Sequence, residues 1–143
     1  DTDIAAAVPD DVEIVPAPDA ALGIAHSLHA ALDALEDRHE VSAVCIGLGD
    51  QPRVGPEAYQ RLAHAHAVGA DFAVAMYSGQ RGNPVLLARE LWPPARQLTG
   101  DEGARALMKE RGVVEVDCTG TGSPRDVDTL DDLRALEEEM GRP

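Results

Sequence analysis

Apolar positions in this chain follow two rhythms that alternate along its length. From Ile24 to about Arg38 they return at Leu28, Ala31, Leu32 and Leu35, the i, i+3, i+4, i+7 stripe of an amphipathic helix, with Ser27 in its first turns. Val41 to Leu48 is instead almost continuously apolar, short, and stopped by Gly49-Asp50, which predicts a central strand covered on both faces. Pro56 suits the first turn of a helix running to about Val68 and closing at Gly69. Asp71 to Tyr77 is the next predicted strand. Ser78-Gly79-Gln80-Arg81-Gly82 is turn chemistry, and Asn83-Pro84-Val85 leads the chain back along the sheet before a short helix through Leu87 to Leu91, broken by Pro93-Pro94. Thr99 or Asp101 is placed to cap a helix reaching about Arg111, Gly112 ends it, and Val113 to Val116 makes a further strand. At the two ends of the chain, Val12 to Val15 reads as a short buried strand, and Thr129 caps a final helix from Leu130 to about Met140.

Strands alternating with helices predict an α/β domain of three layers, a mostly parallel sheet with helices on both faces. A chain of 143 residues holds one such core and is short of what two would need, so residues 1–143 are expected to form a single domain. Ligands of these sheets bind at the carboxyl ends of strands. That rule directs attention to Asp50, to Ser78 through Val85, and to the loop between the strand at Val113–Val116 and the last helix.

Charge narrows the partners. Lys plus Arg number 12 against 26 Asp plus Glu, a formal charge of −14, and such a surface repels the backbone of a nucleic-acid polymer. Glu137-Glu138-Glu139 reads as a solvated helix face. Cys45 and Cys118 have no Cys-x-x-Cys spacing, which fits a reduced cytoplasm, the expected location. No apolar run approaches the roughly 18 residues of a membrane span, so no membrane partner is expected.

Asp50 follows an apolar strand and sits between Gly47-Leu48-Gly49 and Gln51-Pro52, so its carboxylate is delivered to the sheet edge on a turn. A carboxylate there can hold Mg²⁺, and it can equally cap the turn or the next helix, the reading that loop chemistry alone favours. Asp126 and Asp128 lie two residues apart, and one of this pair together with Asp50 would make a conventional nucleotide–Mg²⁺ site. Asp128 and Thr129 also suit a plain helix start. His26 and His29 share a helix face while His64 and His66 do not, and without a third ligand they do not make a transition-metal site. Trp92 reads as packing for a helix end, and Ser27 has no histidine–acid pair to make it a hydrolase nucleophile.

Four runs occur in order and at suitable spacing: Gly49-Asp50-Gln51-Pro52, Gly82-Asn83-Pro84-Val85, Thr99-Gly100-Asp101-Glu102-Gly103-Ala104-Arg105, and Val127-Asp128-Thr129 ahead of Asp131-Asp132-Leu133. Together with Gly23 and Ser27 they resemble the molybdenum cofactor cytidylyltransferases and their relatives, over about Val12 to Leu136. The resemblance implies a Rossmann-like nucleotidyltransferase fold in which Asp50 and Asp128 hold Mg²⁺ as the catalytic carboxylates. It places Gly23, Ser27 and Asp50 near the nucleotide, and Asn83, Pro84, Asp101 and Arg105 on the acceptor side. It also implies that CMP passes from CTP, favoured over GTP, to a molybdopterin-type acceptor with release of pyrophosphate, with a molybdoenzyme as a further partner. The family's glycine-rich loop, with its arginine and lysine, is missing from these residues together with a strand and helix, a unit of roughly 30 or more residues. A protein that truly began at Asp1 is expected to be inactive. Two other readings stay open: a catalytically silent homologue serving as cofactor-binding or maturation chaperone, and a transferase acting on another phosphorylated acceptor such as a sugar phosphate.

Overall fold

A computed structural model of the chain describes residues 9–18, 23–100 and 103–123, with Arg134, Glu137 and Glu138 beyond them. In chain order the elements are α1 (Ile24–Leu35), β1 (Ala43–Ile46), α2 (Pro56–Ala67), β2 (Phe72–Tyr77), β3 (Gln80–Ala88), a 3₁₀ turn at Arg89–Leu91, α3 (Trp92–Ala95), α4 (Arg105–Met108) and β4 (Val114–Asp117). They fall into two compact units, one of Asp1–Val41 with Trp92–Glu110 and one of Ser42–Leu91 with Arg111–Pro143.

The second unit is built on a four-stranded sheet in the order β1-β3-β2-β4. β2 and β4 are parallel, while β3 pairs antiparallel with both β1 and β2. β1, β2 and β4 therefore run one way, and the predicted mostly parallel sheet is a mixed one with a reversed strand in its interior. The cause is the turn after β2. Ser78 at φ 51° and Gly79 at φ 82° form a two-residue hairpin loop, with Tyr77 opposite Gln80. So short a connection permits only an antiparallel neighbour. The helix predicted through Leu87 to Leu91 gives way accordingly, since β3 continues to Ala88 and only Arg89–Leu91 is helical. β1 has one neighbouring strand among the described residues, and its four residues are half-buried rather than enclosed on both faces.

Register sorts the side chains by face. Ala73 pairs with Leu86 and Cys45 with Leu86, so these share the face on which α2 lays Ala58 and Leu62, both fully buried. Burying a leucine side chain such as that of Leu62 contributes about 1.5–3 kcal/mol. The opposite-face residues Phe72, Val74 and Leu87 are 0–1% exposed, so the central strands lack the polar alternation of a half-solvated sheet. Pro84 is tolerated inside β3 because the β2 ladder slips between Val74 and Met76, and pairing with β1 ends at Val85. It therefore stands in a bulge, where no ladder donor is needed.

In the first unit α1 buries Ala25 and Leu32. Trp92, Ala95, Leu98 and Leu107 are buried there as well. Arg96, just past α3, donates to Asp33 and to Glu36 at the far end of α1, the second at 2.6 Å. Pro93-Pro94 does not end a helix here. The pair lies in the first turn of α3, where a missing N–H leaves no bond unmade. The strand predicted at Val12–Val15 is absent: the run is irregular, with Val12 and Ile14 each 52% exposed, and no described strand pairs with it. The helix predicted to reach Arg111 is a single turn, Arg105–Met108. The final helix lies outside the described residues apart from Arg134, Glu137 and Glu138, which are helical and exposed. No described helix is long and apolar enough to cross a membrane.

Candidate active site at the carboxyl ends of the strands

Because β1, β2 and β4 run the same way, three connections leave the same end of the sheet: the Asp50 loop, the Ser78-Gly79 turn, and the loop from Cys118 to Ser123. Asp50 is the third residue of a turn closed by the Gln51 N–H donating to the Leu48 carbonyl at 3.2 Å, and a second turn follows as Val54 donates to Gln51 at 3.3 Å. Its side chain is half-buried, and among the described residues no hydrogen bond or ion pair occupies its carboxylate.

Main chain from the β4 loop clasps the far end of this turn. The Ser123 N–H donates to the Arg53 carbonyl at 2.9 Å. A Cβ on Gly122 would lie 2.3 Å from that carbonyl oxygen and 2.9 Å from the Gly55 nitrogen, so the two backbones touch where only glycine fits. The β4 loop is itself anchored. Cys118 N–H donates to Met76 O at 2.8 Å, Thr121 Oγ1 donates to Cys118 O at 2.7 Å, and Ser78 N–H donates to Thr119 Oγ1 at 2.8 Å. Hydrogen bonds from the Thr119 side chain and then its N–H hold the exposed Asp117 carboxyl below the usual range. Arg61 bridges the Asp117 carbonyl at 2.8 Å and Glu57 at 2.9 Å.

Beneath these loops the polar groups are neutral. Burial pushes the thiols of Cys45 and Cys118 up, so neither is a reactive thiolate. Burial, and secondly Cys45, raises the Tyr59 phenol; burial, then Cys118 and Tyr59, raises that of Tyr77. The Tyr77 hydroxyl donates to the Asn83 carbonyl at 2.7 Å, holding the bulge that carries Pro84.

Residues 1–116 match the MobA-like NTP transferase domain family. The chain belongs to that family. Among solved structures it is similar to Rv0371c from Mycobacterium tuberculosis H37Rv, with 29% identity and a TM-score of 0.78 over 96% of this chain and 70% of that one. A manganese complex of Rv0371c gives a TM-score of 0.75 at the same identity, with 73% of that chain covered. A homologue of Rv0371c from mycobacterium sp. strain JC1 is 30% identical with a TM-score of 0.67 over 79% of this chain; the present chain spans 56% of its length. Molybdopterin-guanine dinucleotide biosynthesis protein A from Archaeoglobus fulgidus, 18% identical with a TM-score of 0.60, shares the fold over 82% of this chain and 63% of that one. No curated protein matches.

Within this member of the NTP transferase family, the expected site residues divide by unit. In the second, Asp50 and Asn83 come to the same end of the sheet, since Asn83 lies beyond the last β1–β3 pair, Ile46 with Val85. Pro84, beside it, is fully buried. In the first, Gly23 stands at the start of α1 with φ 135°, and a Cβ there would overlap the Gly100 carbonyl at 2.0 Å. That same carbonyl accepts the Ala25 N–H at 3.0 Å. Ser27 and Arg105 are exposed, on α1 and at the first residue of α4. Asp101 and Asp128 lie outside the described residues. Sequence reasoning missed the contact of Gly23 with Gly100, the Gly122 clasp and Tyr59. The glycines were visible as turn formers, but nothing in a sequence marks which glycine faces open space and which faces another backbone.

Proposed function

We propose that the protein is a divalent-metal-dependent nucleotidyltransferase of molybdenum cofactor biosynthesis. A phosphate oxygen of a molybdopterin-type acceptor attacks the α-phosphorus of CTP, the bond from that phosphorus to the bridging oxygen breaks, and pyrophosphate leaves. The observation that carries this reading is the half-buried Asp50 carboxylate on a doubly held loop at the carboxyl edge of the sheet, in a chain of the MobA-like family.

A hard divalent cation takes oxygen donors, typically one or two carboxylates completed by substrate phosphates. Asp50 meets that requirement. Substrate phosphate oxygens would supply the remaining donors. Asp128 is assigned as the second carboxylate. When bound, the cation neutralises charge on the phosphates, and Rv0371c has been crystallised with manganese. Mg²⁺ is the cation proposed here. Gly23 and Ser27 are assigned to the nucleotide, and Asn83, Asp101 and Arg105 to the acceptor. Pro84 acts by fixing the backbone of Asn83. No covalent nucleophile is required, because the transfer needs alignment and charge neutralisation.

Calorimetric titration with CTP and GTP, with and without Mg²⁺, tests this alongside Asp50→Ala. Magnesium-dependent binding of CTP that weakens at least about tenfold in the variant, roughly 1.4 kcal/mol, is the expected result. Binding of neither nucleotide by the full-length protein would remove the transferase reading and leave a cofactor carrier.

A further inference from the structure

Gly47 and Gly49 flank Leu48 in one loop, yet their surroundings differ. A Cβ on Gly47 would fall 2.1 Å from the Tyr59 hydroxyl and 3.3 Å from the ring carbon that bears it, whereas nothing lies within 4 Å of a Cβ on Gly49. Tyr59 is rooted in α2 between Gln60 and Ala58, and Ala58 and Leu62 of the same helix are fully buried against the sheet. The phenol therefore reaches from a fixed base to the first residue after β1. The turn that presents Asp50 begins at the next residue, Leu48.

We propose that Tyr59 is a positioning residue for Asp50: its hydroxyl, seated on the bare backbone of Gly47, sets where the turn from Leu48 to Gln51 begins and so where the Asp50 carboxylate stands. This rests on the assignment of Asp50 as a metal-holding carboxylate. Burial, and secondly Cys45, keep the phenol in its neutral form. Residues that orient a ligating group typically control metal affinity by about 10–100-fold, since a small rotation of the carboxylate loses the bond.

The geometry supplies a compensating pair. A methyl group at position 47 collides with the hydroxyl, but once the hydroxyl is gone the nearest atom is the ring carbon at 3.3 Å, a contact that a slight shift relieves. Mn²⁺ alone, titrated by electron paramagnetic resonance into the full-length protein, reads the effect directly. Gly47→Ala is expected to bind Mn²⁺ about tenfold more weakly and Tyr59→Phe about threefold, with the double variant returning to the Tyr59→Phe level. Wild-type affinity in Gly47→Ala or in Tyr59→Phe overturns the inference, as does a double variant no better than Gly47→Ala. Where Gly47→Ala does not fold, Tyr59→Phe decides alone. A merely structural role would lower the melting temperature of these variants and leave their Mn²⁺ affinity intact. Asp50→Ala separates the two levels: if it loses Mn²⁺ while the other variants bind normally, only the role of Tyr59 fails, and if it keeps Mn²⁺, the metal assignment fails with it.

Discussion

The start of α1 and the Asp50 loop are both fixed by glycines, but by different partners. At α1 main chain rests on main chain, with Gly23 against the carbonyl of Gly100 and at a φ of 135° that other residues rarely adopt. At the entrance of the Asp50 loop a side chain rests on main chain, with the Tyr59 hydroxyl over Gly47. The first contact cannot be relieved by any single exchange of a neighbouring side chain, because no side chain makes it. The second can. The contact at α1 is rigid because backbone itself is the surface, and the contact at Gly47 is adjustable because a side chain intervenes.

Gly23→Ala is the strongest way to break that contrast. The left-handed backbone alone costs about 1–3 kcal/mol, and the overlap with Gly100 adds to it. A fall in Tm of the order of 10 °C with loss of helical circular dichroism is expected. A variant melting within about 2 °C of wild type would mean that the two backbones separate freely. Gly122→Ala comes next. It meets the Arg53 carbonyl at 2.3 Å but has no left-handed φ to lose, so overpacking of about 1–3 kcal/mol is expected, read as a lower denaturant midpoint and faster proteolysis in the Asp50 loop. Unchanged proteolysis would show that the clasp does not hold that loop.

The smallest effect is expected from Arg96→Met, which removes the ion pairs to Asp33 and Glu36. Those carboxylates are 66% and 59% exposed, so the loss is about 0.5–1 kcal/mol and shrinks at about 1 M salt. Denaturation at low and high ionic strength checks it. A loss that salt leaves untouched would mean that the stem of Arg96 packs, and that its charge contributes little.

The elements that could be read from sequence are those whose pattern is local. Pro56 and Gly69 bracket α2 as predicted, and the apolar runs at Phe72–Tyr77 and Val114–Asp117 are strands within a residue or so of their expected bounds. β3 was hidden because Pro84 argues against a strand unless a bulge receives it, and the bulge exists only in the pairing with β2. Val12–Val15 misled for the converse reason: β-branched composition favours a strand only where another strand is present to pair with it. At the candidate site, Asp50 was legible as a polar residue after a strand, and Asn83 through the turn segment from Ser78 to Val85 and the family resemblance, though it lies inside β3. The contacts that position them were not, since Gly122 meets Arg53 across 69 positions through backbone atoms that every residue possesses.

The chain also carries its own optical labels. Its one tryptophan, Trp92, is 2% exposed in the first unit, while both tyrosines, Tyr59 and Tyr77, belong to the second. Excitation at the red edge of the indole band thus reports on one unit, and phenol absorbance on the other, without any added probe. Whether the two lose structure together or in sequence can be followed by colour alone in a single denaturation experiment.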